Sequence, residues 1–420
     1  MDLKAKLTPM KKQVIEIFKY RIFQYSFLIH ILYMISSIIL ILIWFENLSD
    51  FKVFYKATEA FINDISELYN QANYPYPYRY FPLSVIFFIP FYFMGFDMGF
   101  IAFTIFNLFL NILICIYIYK IIKLTFEVNP EKINRRILNY LCLYLVGLPQ
   151  ISNYFLGQNN LIVNLMIILS LFIFIKYDNL KMEFVASLLI GISILVKPIT
   201  IALIPFLILL RFNIKGKKFE VKVIKSILRI IGCLIPLSLN LIYFFLIPQL
   251  WDNFITTNFT GTYPVEINFS FSLSKIIINF CDFLGLRYNQ MIILVIVLII
   301  FGGIGFIFYI TRRFDNNSLI YGYLLGILTT LLVYFDTWDH HLLSFTPLLL
   351  IIIFNSKDSE ITRKFIKPSF MFFNFINLII MGLSVIIFPL FPFNFIPTIF
   401  LILTFYGILK YILIQNKENK

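Results

Sequence analysis

Polar chemistry is scarce in this chain. Its 420 residues include three histidines, three tryptophans and four cysteines, and only 14% of the residues are charged. The cysteines, Cys115, Cys142, Cys233 and Cys281, are scattered. They show neither the spacing of a zinc site nor the pairing pattern of a disulfide framework. A Walker loop, a G-x-G-x-x-G turn and a D-x-D triplet are all missing. Their absence removes support for nucleotide-driven transport and for the usual metal-bound nucleotide-sugar site. Acidic residues are also in short supply, 22 against 35 lysines and arginines, which leaves a net charge of +13.

Such a charge can signal nucleic acid, but its placement argues otherwise. The basic residues gather in Met1–Arg21, Lys120–Arg136, Arg211–Arg229, Arg312–Arg313 and the C-terminal tail. Short basic segments between apolar runs are the mark of cytoplasmic loops. The expected partners are therefore membrane lipids with anionic headgroups, and no nucleic acid.

What the chain has in abundance is apolar surface. Hydrophobic residues make up 60%, and the mean hydropathy is +0.87, whereas a soluble domain is about half apolar with roughly 25% charged residues. Runs such as Met291–Ile310 and Leu319–Val333 reach or approach the length that crosses about 30 Å of hydrocarbon as helix. Helices satisfy their own backbone hydrogen bonds in lipid. The expected fold is an all-α polytopic membrane protein, a single integral-membrane domain over 1–420 with about ten to thirteen membrane segments. The first run follows basic residues without a small-residue cleavage site, which reads as an anchor in the cell membrane.

The expected organisation starts with a basic cytoplasmic N-terminus, 1–25, and a first span at Ser26–Phe45. A first external loop follows at 46–80, a second at 248–290, and a cytoplasmic tail at 415–420. Placing every basic loop inside requires two adjustments. Tyr80–Phe96, with Pro82 and Pro90, dips in and returns rather than crossing. Phe184–Leu210 splits at Lys197-Pro198, since proline ends a membrane helix where freed backbone groups find new partners.

Four polar constellations stand out against this background. In the first external loop, Phe51, Phe54, Tyr55, Phe61, Ile62, Ile65, Leu68 and Tyr69 recur at helical spacing, the pattern of an amphipathic helix on the membrane face. Asp50 sits at its start, either as an N-cap or as a carboxylate placed to take a proton from a hydroxyl. The stretch NYPYPYRYFPL offers stiff, hydroxyl-bearing surface around one cation, Arg79, which faces a phosphate or snorkels to water. Lys197 stands among apolar residues, and an unpaired ammonium in a membrane is costly enough to imply a role. Finally, FDTWDHHLLS collects Trp338, Asp339, His340 and His341. Adjacent histidines do not readily share one ion, so they read better as hydrogen-bond donors to phosphate or sugar oxygens, with no metal.

These pieces, in this order, resemble the family 87 glycosyltransferases, integral-membrane enzymes of GT-C architecture. The matching residues are D-F-K-V-F-Y at Asp50–Tyr55, Y-x-P-L at Tyr80–Leu83, G-Q-N-N at Gly157–Asn160, K-P at Lys197-Pro198, N-F-S at Asn268–Ser270 and W-D-H-H at Trp338–His341. Phe81 replaces the first proline of the family's Y-P-P-L, and N-F-S stands where N-Q-S is common.

The resemblance implies a GT-C-like helix bundle that transfers a hexose, mannose-like, from a polyprenyl-phosphate monosaccharide to a lipid-linked or glycan acceptor on the external face. It implies inversion, no metal, and no cofactor besides the lipid-linked donor. Asp50 matches the general base of such enzymes. Tyr55, Arg79, Tyr80, Gln158, Asn159, Asn160, Lys197, Asn268, Trp338, Asp339, His340 and His341 are the expected substrate-binding residues. A flippase for lipid-linked sugars is the alternative, with a glycan ligase behind it. The lack of similarity between the two halves of the chain weighs against a transporter.

Overall fold

The computed structural model describes residues 14–125, 130–213, 216–259, 270–312, 317–356, 359–380, 382 and 395–418. The described chain is a helix bundle. Helix α1 (Arg21–Leu40) continues through a π-helical turn at Ile41–Phe45, and α2 (Asp50–Asn63) follows. Next come α3 (Phe96–Thr125), α4 (Pro130–Leu145), α5 (Leu148–Leu156), α6 (Asn160–Lys176) and α7 (Leu180–Val196). After a small hairpin the chain forms α8 (Val223–Leu246), α9 (Pro248–Phe259), α10 (Leu273–Phe283) and α11 (Gln290–Ile310). The last long helices are α12 (Ser318–Val333), α13 (Thr346–Asn355) and α14 (Phe395–Glu418).

Apolar composition alone does not separate a core helix from a lipid-facing one; position does. Every residue of α12 is buried, whereas α11 leaves residues such as Ile299 (66% exposed) on the outside. Helices α8 and α1 likewise turn isoleucine, leucine and phenylalanine outward, an arrangement that suits hydrocarbon because lipid tails are as apolar as leucine. Among the described residues five helices are long and apolar enough to cross a membrane: 21–45, 96–125, 223–246, 290–310 and 396–415. Four shorter apolar helices accompany them. Against the expected ten to thirteen segments, the described residues show these nine apolar helices, five of them full-length and four short.

The two adjusted segments are informative. Between Tyr80 and Phe96 lie a 3-10 turn, Pro82–Phe87, and a four-residue helix, Ile89–Tyr92, and no helix long enough to cross. Helix α7 stops at Val196, Lys197 is extended (φ −142°, ψ 97°), and Pro198–Leu203 resumes as a 3-10 turn leading into Ile204–Leu207. The K-P dipeptide therefore breaks the helix where expected.

Elsewhere the structure departs from the sequence pattern. The amphipathic repeat expected over Phe51–Tyr69 ends at Asn63, because the Asp64 carboxylate accepts from the Ser66 amide (3.0 Å) and starts a 3-10 turn, Ile65–Tyr69. Its apolar stripe is not laid on lipid: Phe51 and Phe54 are buried against Phe88, Phe96, Phe100 and Phe103. The basic stretch Arg211–Arg229 contains an antiparallel hairpin, β1 (Leu210–Asn213) and β2 (Lys218–Val221). The expected tail from residue 415 is helical through Glu418, and the segment 248–290, expected as the second external loop, carries α9 and α10.

Two polar knots hold the bundle. Glu183 and Arg229, both about fully buried, pair at 2.6 Å across α7 and α8, and Arg229 lies over the Phe174 ring at 4.2 Å. His30 on α1 joins the Leu145 carbonyl (3.0 Å) through Nδ1, and its Nε2 meets Asn111 (2.9 Å) and Tyr154 (3.1 Å). Asn111 and Gln150 exchange two further bonds of 3.0 Å, which fixes α5 against α1 and α3. In apolar surroundings such groups must find partners in one another.

Helices α7 and α8 make the most extensive helix pairing, and Gly191 makes it possible. A Cβ there would lie 2.3 Å from the Cys233 carbonyl oxygen and 2.9 Å from the Pro236 ring. Backbone cannot yield as a side chain can. Gly191→Val is therefore expected to destabilise the bundle by about 1–3 kcal/mol, as overpacking does, or by more if α8 is displaced; a thermal melt of the detergent-purified protein reads this as a lowered midpoint.

Candidate active site

The Lys197 break opens onto a recess of about 410 Å³. Its walls include Asp50, Tyr76, Arg79, Tyr80, Gln158, Lys197, Asn258, Tyr334, Asp336, Trp338, His340 and His341. Residues as far apart in the chain as Asp50 and His341 are thereby brought to one cavity.

Asp50 is the first residue of α2, and Ser49, not Asp50, caps that helix: the Ser49 hydroxyl accepts from the Lys52 amide at 3.3 Å. With capping supplied by its neighbour, the Asp50 carboxylate is free to face the recess. Gln158 Nε2 donates to Asp50 Oδ2 at 2.6 Å. The meeting of these two depends on Gly157. That residue ends α5 in the left-handed region (φ +66°), while the Gln158 and Gly157 amides bond back to the Asn153 and Tyr154 carbonyls. Glycine is favoured at this cap for its conformation. It is required for contact too, since a Cβ would come within 2.9 Å of the Phe51 Cβ.

Lys197 is buried, and its ammonium donates to Asn160 Oδ1; Asn160 Nδ2 in turn donates to Asn153 (3.3 Å). One loop, Gly157–Asn160, thus positions both charged groups: Gln158 serves Asp50 and Asn160 serves Lys197. Desolvation in the recess raises the Asp50 pKa to about 6, against the opposing effects of the Gln158 hydrogen bond and the Lys197 charge. A carboxylate tuned in this way still ionises near neutrality and accepts a proton more readily than an exposed one.

The opposite wall is the turn after α12. The Trp338 amide donates to His341 Nδ1 at 3.0 Å, so the neutral ring carries its proton on Nε2. His340 lies beside it, with ring centroids 4.2 Å apart, and its buried Nδ1 has no partner among the described residues. Thr337 ties the turn to the end of the second large loop through Ser270 Oγ (3.1 Å) and the Phe271 amide (2.9 Å).

Several expected site residues are placed elsewhere. Asp339 is buried away from the recess, accepting from Asn377 Nδ2 at 2.6 Å. Tyr55 packs on Tyr92 and Phe96 on the far side of α2. Asn159 is buried without lining the cavity, and Asn160 reaches it only through Lys197. Asn268 lies outside the described residues. Conversely, Asp336 and Tyr334 line the recess and went unnoticed in the sequence; Asp336 accepts from Arg79, whose guanidinium also donates to Tyr334 Oη (3.3 Å). Arg79 is thereby neutralised rather than left open to a phosphate. Among the described residues no group of three or more His, Cys, Asp or Glu side chains is disposed to hold a metal ion.

A family model, glycosyltransferase family 87, matches residues 78–334, more than half of the chain. The match includes Arg79, Tyr80, Gly157–Asn160 and Lys197, while Asp50 and Trp338–His341 fall outside it. No curated protein and no solved structure matches the chain.

The acid side of the site's pH response follows from Asp50. Chemistry that uses this carboxylate as a base rises as pH passes upward through about 6, where the group loses its proton. Gln158 donation favours the ionised form, so Gln158→Leu is expected to move this acid limb to higher pH. A pH–rate profile of both proteins checks the direction.

Proposed function

The chain belongs to glycosyltransferase family 87, and from that membership we propose that the recess transfers a hexose, mannose-like, from a polyprenyl-phosphate monosaccharide to a lipid-linked or glycan acceptor. The observation that carries this reading is the pairing of a carboxylate, Asp50, with a buried ammonium, Lys197, across one cavity and through one loop.

In the proposed step the acceptor hydroxyl gives its proton to Asp50 as its oxygen attacks the anomeric carbon. The new carbon–oxygen bond forms opposite the old one, which breaks towards the phosphate, so the anomeric configuration inverts. The departing lipid phosphate takes the bonding electron pair. Its growing charge is met by Lys197 and by imidazole N–H groups of His340 and His341, fixed donors that need not reorganise. A monophosphate carries less charge than a diphosphate, and on this reading fixed groups do the work of a metal ion.

Orientation follows the charges. Helix α3 starts beside Phe51 and ends in the basic Lys120–Arg136 segment, and 24 residues of helix between Phe96 and Lys120 span about 36 Å. The Lys120–Arg136 segment therefore starts at the bundle end remote from the recess, which supports a cytoplasmic placement for it and an external one for the site.

Asp50→Asn keeps the shape and the Gln158 contact but cannot accept the proton. Transfer of radiolabelled sugar from a polyprenyl-phosphate donor in reconstituted vesicles is expected to fall by about 10²–10⁴-fold, with an unchanged thermal midpoint. Near-normal transfer by the variant would refute the base assignment.

A further inference from the structure

The recess holds a second carboxylate that the transfer step does not use. Asp336 lies on its wall, and its side chain retains 18% exposure. Arg79 binds one of its oxygens, Oδ2, and pins the group in place; Arg79 also holds Tyr334 Oη. The pair is electrically neutral, so Asp336 adds no net charge to repel an arriving phosphate or to compete with Lys197.

The surroundings of Asp336 are aromatic. Tyr334 and Trp338 flank it in the chain, and both line the recess, with Tyr76 and Tyr80 contributed by the tyrosine–proline stretch. Tyr334 stands edge-on to His341 with centroids 5.8 Å apart, and Trp338 is 6.4 Å from His340. Flat apolar rings beside a fixed acceptor suit a pyranose, which presents C–H groups on its faces and hydroxyl groups around its edge. A carboxylate accepts from hydroxyls more strongly than a neutral oxygen does. The contact uses a single guanidinium nitrogen and only Oδ2 of the carboxylate.

From this juxtaposition we propose that Asp336, pinned by Arg79 between Tyr334 and Trp338, is the specificity-determining carboxylate that reads the hydroxyls of the donor sugar. The inference rests on the reading of this recess as the donor site, and it divides the cavity by chemistry. Lys197 and the histidines take the phosphate, Asp50 takes the proton, and Asp336 selects the sugar. A site built to bond a hydroxyl rejects an analogue whose hydroxyl is missing or misplaced far more strongly than an apolar site does.

The test uses the full-length protein in nanodiscs with synthetic short-chain polyprenyl phosphate, bare or carrying mannose, glucose or galactose. Binding of each is measured, and sugar transfer is scored in the same samples after a total membrane glycolipid and glycan extract is added as acceptor. Asp336→Asn removes the charge that neutralises Arg79, so it is expected to bind bare polyprenyl phosphate at least as tightly as the unmodified protein does. It should lose about tenfold or more in affinity for the preferred sugar donor, the size of one charge-assisted hydrogen bond, and its ranking of the three sugars should collapse. Asp336→Glu keeps the ion pair with Arg79 but displaces the oxygens, so it should bind the bare lipid normally and re-order the sugars.

An unchanged ranking in both variants overturns the proposal. Equal loss of bare and sugar-bearing lipid also overturns it, because Asp336 would then be merely structural. Failure of the unmodified protein to transfer any sugar while its binding ranking still depends on Asp336 refutes the transferase reading and leaves the sugar-reading role standing.

Discussion

An ammonium group among apolar helices has to be answered by acceptors, and the architecture of this protein is arranged around that demand at Lys197. Proline at the next position ends α7, so the lysine sits at a break instead of inside a continuous helix. Its charge then falls to Asn160, at the start of α6, and Asn160 to Asn153 on α5. Because α5 is itself bound through Gln150 and Tyr154 to Asn111 and His30, the ammonium is held by a chain of buried amides running back to the first helix. Each of these contacts spares a buried polar group the cost of standing unpaired.

The site draws on that chain of contacts. The Asp50 carboxylate and the Lys197 ammonium come from different parts of the chain, yet the four residues Gly157–Asn160 address both. A small error at Gly157 would part Phe51 from the loop and carry Asp50 out of reach of Gln158. The surface of the bundle, by contrast, is loosely specified: α8 and α11 show leucine, isoleucine and phenylalanine to the outside, where many apolar side chains would serve. Stringent packing and polar pairing are concentrated where the helices break.

The pattern of long apolar runs and basic loops made the helical membrane class legible, and the K-P dipeptide marked the break at Lys197. These are local signals: length, charge and proline act where they stand. What remained hidden depended on tertiary facing. In FDTWDHHLLS the two aspartates are three residues apart with nothing local to separate them; Asp339 turns to Asn377 and Asp336 turns to Arg79. The only hint was Asn377 itself, an amide in an apolar run that needs a partner. Tyr55 belongs to the same stretch as Asp50, but a helix carries residues five apart to different faces, and Tyr55 meets Tyr92 and Phe96. For Asp50 the sequence offered two readings, helix cap or proton acceptor, and Ser49 fills the cap. The hairpin at Leu210–Val221 carried no turn signal strong enough to distinguish it from a basic loop.

The central claim is that the phosphate of a lipid-linked sugar sits against Lys197 and the His340–His341 turn. The most direct measurement is photocrosslinking with a polyprenyl phosphate that carries a photoreactive group beside the phosphate, with the modified peptides mapped by mass spectrometry. The account predicts labelling at Lys197–Ile199 and Trp338–His341, suppressed by excess unmodified lipid. Competed labelling confined to the outward faces of α8 and α11, with none in the recess, would contradict it.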